Sequence, residues 1–119
     1  MLRFFALTAA GALMTSVASV ETRIAHVYGK TGPFEAHAAQ SHNGLMLGLE
    51  NATDGNMEIN GAKIVVIEND TQLKPDIGRA QLEEAYGDDY AHIAVGPVSS
   101  GVALAMLPVA EEYERLPIV

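Results

Sequence analysis

The sequence predicts an α/β fold class, a doubly wound parallel sheet with helices on both faces, and three observations carry that prediction. From Glu21 onward, short β-like apolar runs alternate with stretches of helical periodicity. The run Lys63-Ile64-Val65-Val66-Ile67 is almost continuously apolar, the pattern of a strand buried on both faces. The resulting order of strand and helix in alternation calls for parallel pairing through right-handed crossovers.

The elements follow in order. Arg23 to Tyr28 reads as the first strand. From about Glu35 to Asn51, Ala38, Leu45, Leu49 and Ala52 recur at helical spacing, and Asp54-Gly55 stops the helix. Asn60-Gly61 marks a tight turn before the second strand at Lys63–Ile67, which runs out in the polar Glu68-Asn69-Asp70. Pro75 opens a second helix with Gly78, Leu82 and Ala85 on one stripe, and Gly87 ends it. Ile93-Ala94-Val95 is the third strand. Ser99-Ser100 caps a third helix whose predicted stripe is Ala103, Leu107 and Ala110, and Pro108 is expected to kink or split it. Leu116-Pro117-Ile118-Val119 begins a fourth strand.

The first residues differ from the rest. Met1-Leu2-Arg3 carries a positive charge, Phe4 to Val20 carries none, and Ser16-Val17-Ala18 places small residues at alternate positions, as a secretory cleavage site requires. Residues 1–18 are therefore expected to be a signal peptide, with the mature chain starting at Ser19. The segment is slightly short for an anchor helix, which needs roughly 20 apolar residues.

A chain of 119 residues has room for one domain, and 49% apolar with 18% charged residues makes it foldable. A formal charge of −8 without a Lys or Arg cluster disfavours nucleic acid and anionic membrane surfaces as partners. Zero cysteines exclude disulfides, thiolate chemistry, Cys-bound metal and a lipidated N-terminal Cys.

Enzyme motifs fail when tested on their own spacing. Gly29-Lys30-Thr31 has the letters that end a phosphate-binding P-loop, but the glycine required five positions earlier is Ile24, inside a strand, and Pro33 removes an N–H where the helix would begin. A nucleophile elbow needs Gly two positions before the serine, and Pro97 and Val98 stand there for Ser99 and Ser100. His26, His37, His42 and His92 form no pair at i+3 or i+4, so neither a zinc site nor any cofactor is expected. A phosphoacceptor receiver domain shares this length and topology, but its strand-end carboxylates are replaced here by Tyr28-Gly29 and Gly96-Pro97. Glu83, Glu84, Asp88, Asp89, Glu111 and Glu112 read as solvated faces. The chain is not expected to be an enzyme.

In a doubly wound sheet, ligands sit beyond the C-terminal strand ends near a topological switch point. Two loops qualify, Gly29 to Phe34 after the first strand and Gly96 to Gly101 after the third. Ser99 and Ser100 stand where a helix N-terminus exposes unpaired N–H groups, and their hydroxyls add donors suited to a carboxylate, although capping alone would also account for them.

The stretches TGPFEAHAAQSHNGLMLGLE, NGAKIVVIEND and HIAVGPVSSGVALAMLPVAEEYERLPIV, in this order and spacing, resemble the N-terminal lobe of periplasmic solute-binding proteins of the branched-chain amino-acid transport type. The resemblance covers about Thr22 to Val119. It implies a type I periplasmic binding lobe over residues 19–119, working as the extracytoplasmic substrate-binding component of an ABC importer in the periplasm. Its partners would be a small carboxylate such as an amino acid, an amide or an aromatic acid, and a membrane permease. It further implies that Gly32 and Pro33 shape a turn lining the cleft, that Lys30 is solvated, and that Ser100 holds the ligand carboxylate with Ser99 beside it. His37 falls where the family more often has Trp or Tyr against the ligand. A sensory ectodomain using the same lobe is the alternative. The second lobe that such receptors close over the ligand is not within this sequence, so the chain is expected to be part of a longer protein.

Overall fold

The computed structural model describes residues 19–119, so the expected signal peptide at 1–18 lies outside the described residues. Eight elements follow one another: β1 (Glu21–Tyr28), α1 (Glu35–Ala52), β2 (Glu58–Ile59), β3 (Ala62–Asp70), α2 (Pro75–Gly87), β4 (Ile93–Val95), α3 (Ser100–Glu112) and β5 (Leu116–Ile118). They form one sheet in the order β2-β3-β1-β4-β5. All pairings are parallel except β2 with β3. The α/β doubly wound class is therefore what the chain adopts.

β2 was not predicted, since Glu58-Ile59 is too short to show a period. It is the outer arm of a hairpin in which Asn60 (φ 51°) and Gly61 (φ 79°) both adopt the left-handed backbone that a tight two-residue turn needs. β3 is longer than the apolar run that announced it, because Glu68, Asn69 and Asp70 continue the ladder opposite His26, Val27 and Tyr28. Nor is β3 buried on both faces: Ile64 is buried in the apolar run, while Val65, Val66 and Ile67 are half-buried. α3 runs unbroken through Pro108. Proline removes the N–H that would bond Leu104, and both residues are exposed, so the freed carbonyl lies on the water side of the helix.

Side-chain alternation divides β1 between two environments. Ala25 and Val27 join Ala94 and the inward residues of α2 and α3 in one buried cluster that includes Leu82, Tyr86, Val102, Met106 and Val109. Ile24, His26 and Tyr28 point to the other face, where His26 meets His42 of α1. The stripe expected on α2 is observed, with Gly78, Leu82 and Ala85 buried and Tyr86 added. On α3 Ala110 of the expected stripe is buried, but Ala103 is half-buried and Leu107 exposed, and Val102, Met106 and Val109 are buried instead. Residues Val102 to Leu107 are all apolar, so periodicity carried no phase, and contact with α2 decided it. On α1 only Ala38 of the expected stripe is buried; Leu45 and Leu49 are half-buried and Ala52 is exposed.

Gly78 sets the approach of α2 to α3, because a Cβ there would overlap Val102 Cγ1 and touch Thr71 Cγ2 at 3.5 Å. The chain passes from β1 through α1 to β3 on one side, then through α2 to β4 on the other side of β1. The switch point is thus between β1 and β4, flanked by the two loops singled out from the sequence.

Candidate ligand site

The loops after β3, β1 and β4 lie side by side along the C-terminal edge of the sheet. The first two are tied together by Asp70. Its carboxylate accepts from Thr31 Oγ1 at 2.7 Å, from the Thr31 N–H at 3.2 Å and from the Gln72 N–H at 2.9 Å. Burial pushes the Asp70 pKa up, but these bonds outweigh it and hold the carboxyl below its usual range. Gly32 (φ 107°) turns the chain past this knot; a Cβ there would sit 3.4 Å from the Gln72 carbonyl oxygen in a backbone region that side chains avoid. Pro33 is exposed beside it, and the Gly32 carbonyl accepts from the Glu35 N–H at 3.1 Å as α1 begins.

Across the switch point, Gly96 (φ 102°) brings the β4 loop against β1 so closely that a Cβ would overlap the Val27 carbonyl oxygen. Pro97 is buried, Val98 is exposed, and Ser99 takes the N-cap position of α3 in an extended conformation. Its carbonyl accepts from the Ala103 N–H at 2.9 Å, but its hydroxyl makes no capping bond. Ser99 is half-buried and Ser100, the first helical residue, is exposed. Capping by the serine side chains, expected from the sequence, is therefore corrected: the backbone at Ser99 starts the helix without its hydroxyl. The N–H groups of the first turn and the two hydroxyls together form a patch of donors suited to an anion.

His37 is exposed on the first turn of α1, with its ring edge-on to Phe34 at 5.8 Å between centroids. The structure describes no contact between His37, on the first turn of α1, and the serines at the start of α3.

A second feature went unnoticed in the sequence. On the α1 side of the same edge, Tyr28, Lys30, Glu35, Ala39, His42, Asn43 and Glu68 line a groove of about 340 Å³. Lys30 is not simply solvated, since its Nζ lies 3.0 Å from Glu68 Oε2. The same oxygen accepts from the Tyr28 hydroxyl. The Tyr28 and Lys30 bonds hold the Glu68 carboxyl below its usual range, while burial and then the bond to Glu68 push the Tyr28 hydroxyl up. Behind them, His26 stacks on Tyr28 with centroids 4.0 Å apart, and His26 Nδ1 lies 2.9 Å from His42 Nδ1. Burial, then the His42 ring, lowers His26 to about 4 against a smaller opposing pull from Glu68. Among the described residues no cluster of three His, Asp or Glu is placed to hold a metal ion. The groove escaped notice because its partners are far apart in sequence; only the polar ending of the second strand, at Glu68, pointed toward it.

The periplasmic binding protein family matches residues 21–119. Among solved structures, an ABC-type branched-chain amino acid transporter from Rhodopseudomonas palustris CGA009 is 57% identical, with a TM-score of 0.81 over 82% of this chain and 26% of that one. Two more distant structures share the fold. A branched-chain amino acid transporter substrate-binding protein from Streptococcus pneumoniae, in complex with isoleucine, is 18% identical, with a TM-score of 0.75 over 82% of this chain and 28% of that one. A solute-binding protein of an ABC transporter from R. palustris BisB5, in complex with 3,4-dihydroxybenzoic acid, is 23% identical, with a TM-score of 0.73 over 82% of this chain and 26% of that one. The chain spans about a quarter of the length of these structures. No curated protein matches it. The match over residues 21–119 covers most of the sequence and the whole of the sheet just described, and by it the chain belongs to the periplasmic binding protein family.

Proposed function

We propose that residues 19–119 are the N-terminal lobe of the extracytoplasmic substrate-binding component of an ABC importer, taking an amino acid or another small carboxylate and delivering it to a membrane permease. Family membership with 57% identity to an ABC-type branched-chain amino acid transporter is the observation that carries this reading. The transport role of the similar structures supports an importer and lends nothing to the sensory alternative. Isoleucine and 3,4-dihydroxybenzoic acid, found in two of them, differ in body but share a carboxylate. That common group suits the donor patch at the start of α3, where the Ser99 hydroxyl is not engaged in capping. In this reading Ser100 and nearby N–H groups hold the carboxylate, Ser99 assists, Gly32 and Pro33 shape the facing turn, and His37 flanks the ligand body. A second lobe closes the cleft. Turnover is not part of this function.

Calorimetric titration of the two-lobed protein with branched-chain amino acids and aromatic carboxylates tests it. Losing a hydrogen bond to a charged acceptor costs about 1.5–3 kcal/mol, so Ser100→Ala should weaken binding by about 10- to 150-fold. Ser99→Ala and Lys30→Ala should be milder. Affinity equal to the parent in Ser100→Ala would remove this loop as the carboxylate site. Residues 1–18 are proposed to act as a cleaved export signal leading to the periplasm; mass spectrometry of the exported protein should find Ser19 at its N-terminus, and an intact Met1–Ala18 segment would refute cleavage.

A further inference from the structure

Two imidazoles from different elements meet nitrogen to nitrogen on the α1 side of the sheet, with His26 Nδ1 2.9 Å from His42 Nδ1. At that distance one nitrogen carries the hydrogen and the other accepts it, so the contact holds a single proton. When the pair is neutral it carries two protons, one shared between the Nδ1 atoms and one on either Nε2. If it takes up a third proton and keeps the contact, both Nε2 atoms must be protonated, whichever ring bears the charge. His26 Nε2 is buried and has no hydrogen-bond partner among the described residues. The neighbouring carbon of that ring edge, Cδ2, lies 3.7 Å from where a Cβ on Gly96 would stand. A buried N–H with no acceptor is costly, and more so on a charged ring. That nitrogen is unpartnered in either tautomer, and buried N–H groups go without partners more rarely than acceptors do, so the neutral pair leaves His26 Nε2 bare, with His26 Nδ1–H donating to His42. A further proton is accommodated most cheaply by breaking the contact.

We propose that the His26–His42 contact is a pH-responsive clamp, holding α1 on the sheet while the pair is neutral and releasing it when the pair takes up one proton. α1 has little else to hold it, since Ala38 is its one fully buried residue. Its release would also reshape the groove, which His42, Glu35 and Asn43 line from the helix. The surrounding charges do not supply the missing acceptor. From β1 the pair faces Tyr28, stacked on both rings, with Lys30 beyond the strand end. From β3 it faces Glu68, whose carboxylate already accepts from Tyr28 and pairs with Lys30, and beyond it Asp70, held by Thr31. From α1 comes Glu35, and β4 sets Val95 beside His26 and brings no charge.

Nitrogen-15 NMR of the imidazoles, with amide hydrogen exchange on the same protein, tests the clamp. Near neutral pH, His26 should be the Nδ1–H tautomer. On acidification toward about pH 5, α1 amides should exchange faster relative to those of β1, by up to about tenfold per pH unit for one coupled proton. His42→Gln retains an acceptor for His26 and cannot titrate, so the acid-dependent excess in α1 should vanish. An Nε2–H tautomer at His26 near neutrality, or an α1-to-β1 exchange ratio that stays constant with pH in the parent, would overturn the proposal. Should His42→Gln fail to fold, these two parent measurements decide it alone.

Discussion

On the face that carries α2 and α3, Leu82, Tyr86, Val102 and Met106 are fully buried against Ala25, Val27 and Ala94; on the opposite face, α1 buries Ala38 and rests on stacked rings and a polar groove. The same strand, β1, serves both, sending alternate side chains to each. One face is close-packed among apolar groups, and the other joins buried polar groups in pairs while leaving His26 Nε2 without a partner. The first tolerates no change of volume, and the second no change of protonation.

Truncating the dense face should have the largest effect. Leu82→Ala removes a fully buried side chain and should cost about 2–5 kcal/mol of stability. Leu47→Ala, on α1 at 67% exposure, should stay within about 0.5 kcal/mol. Denaturant unfolding of the two variants measures the contrast, and similar losses would mean the two faces contribute alike.

Glycines sharpen the comparison at smaller scale. Gly78→Ala forces a methyl onto Val102 and should destabilise by about 1–3 kcal/mol, less roughly 0.5–1 kcal/mol regained from helix propensity. Gly48→Ala in α1 meets nothing within 4 Å and should stabilise by about 0.5–1 kcal/mol. Melting temperatures moving in opposite directions would bear this out; a shared direction would break it.

On the polar face the effect takes the form of a dependence on pH. His26 in the folded chain titrates at about 4 against an ordinary value of 6.5. The unfolded chain therefore takes up this proton first, so its contribution to stability is complete above pH 6.5 and is lost as pH falls toward 4. Glu68 and Asp70, both held below the ordinary carboxylate range, push the same way at lower pH. Thermal melts across this window should show a shallower decline in His26→Gln than in the parent; equal slopes would mean that His26 is not the group responsible.

Much of this architecture was legible. The three helices and four parallel strands were announced by apolar runs and by punctuation at Asp54-Gly55, Asn60-Gly61 and Pro75, and the two loops at the switch point followed from their order. The candidate residues Gly32, Pro33, His37, Ser99 and Ser100 could be named in advance because two of the stretches that resemble the family contain them. What could not be read was β2, which is two residues long, the phase of α3, which is apolar on every side, and the pairing of Tyr28, Lys30 and His42 around Glu68 and His26.

By itself, the sequence determined which segments become strand or helix, because side-chain period and turn chemistry act over a few neighbours. Tertiary structure alone decided which face of β1 would be dry and which polar, that Gly78 would meet Val102, and that His26 would meet His42 across sixteen positions of chain. Those outcomes depend on the distance and angle at which separate elements pack, and no local pattern encodes a contact whose two partners are joined only through the fold.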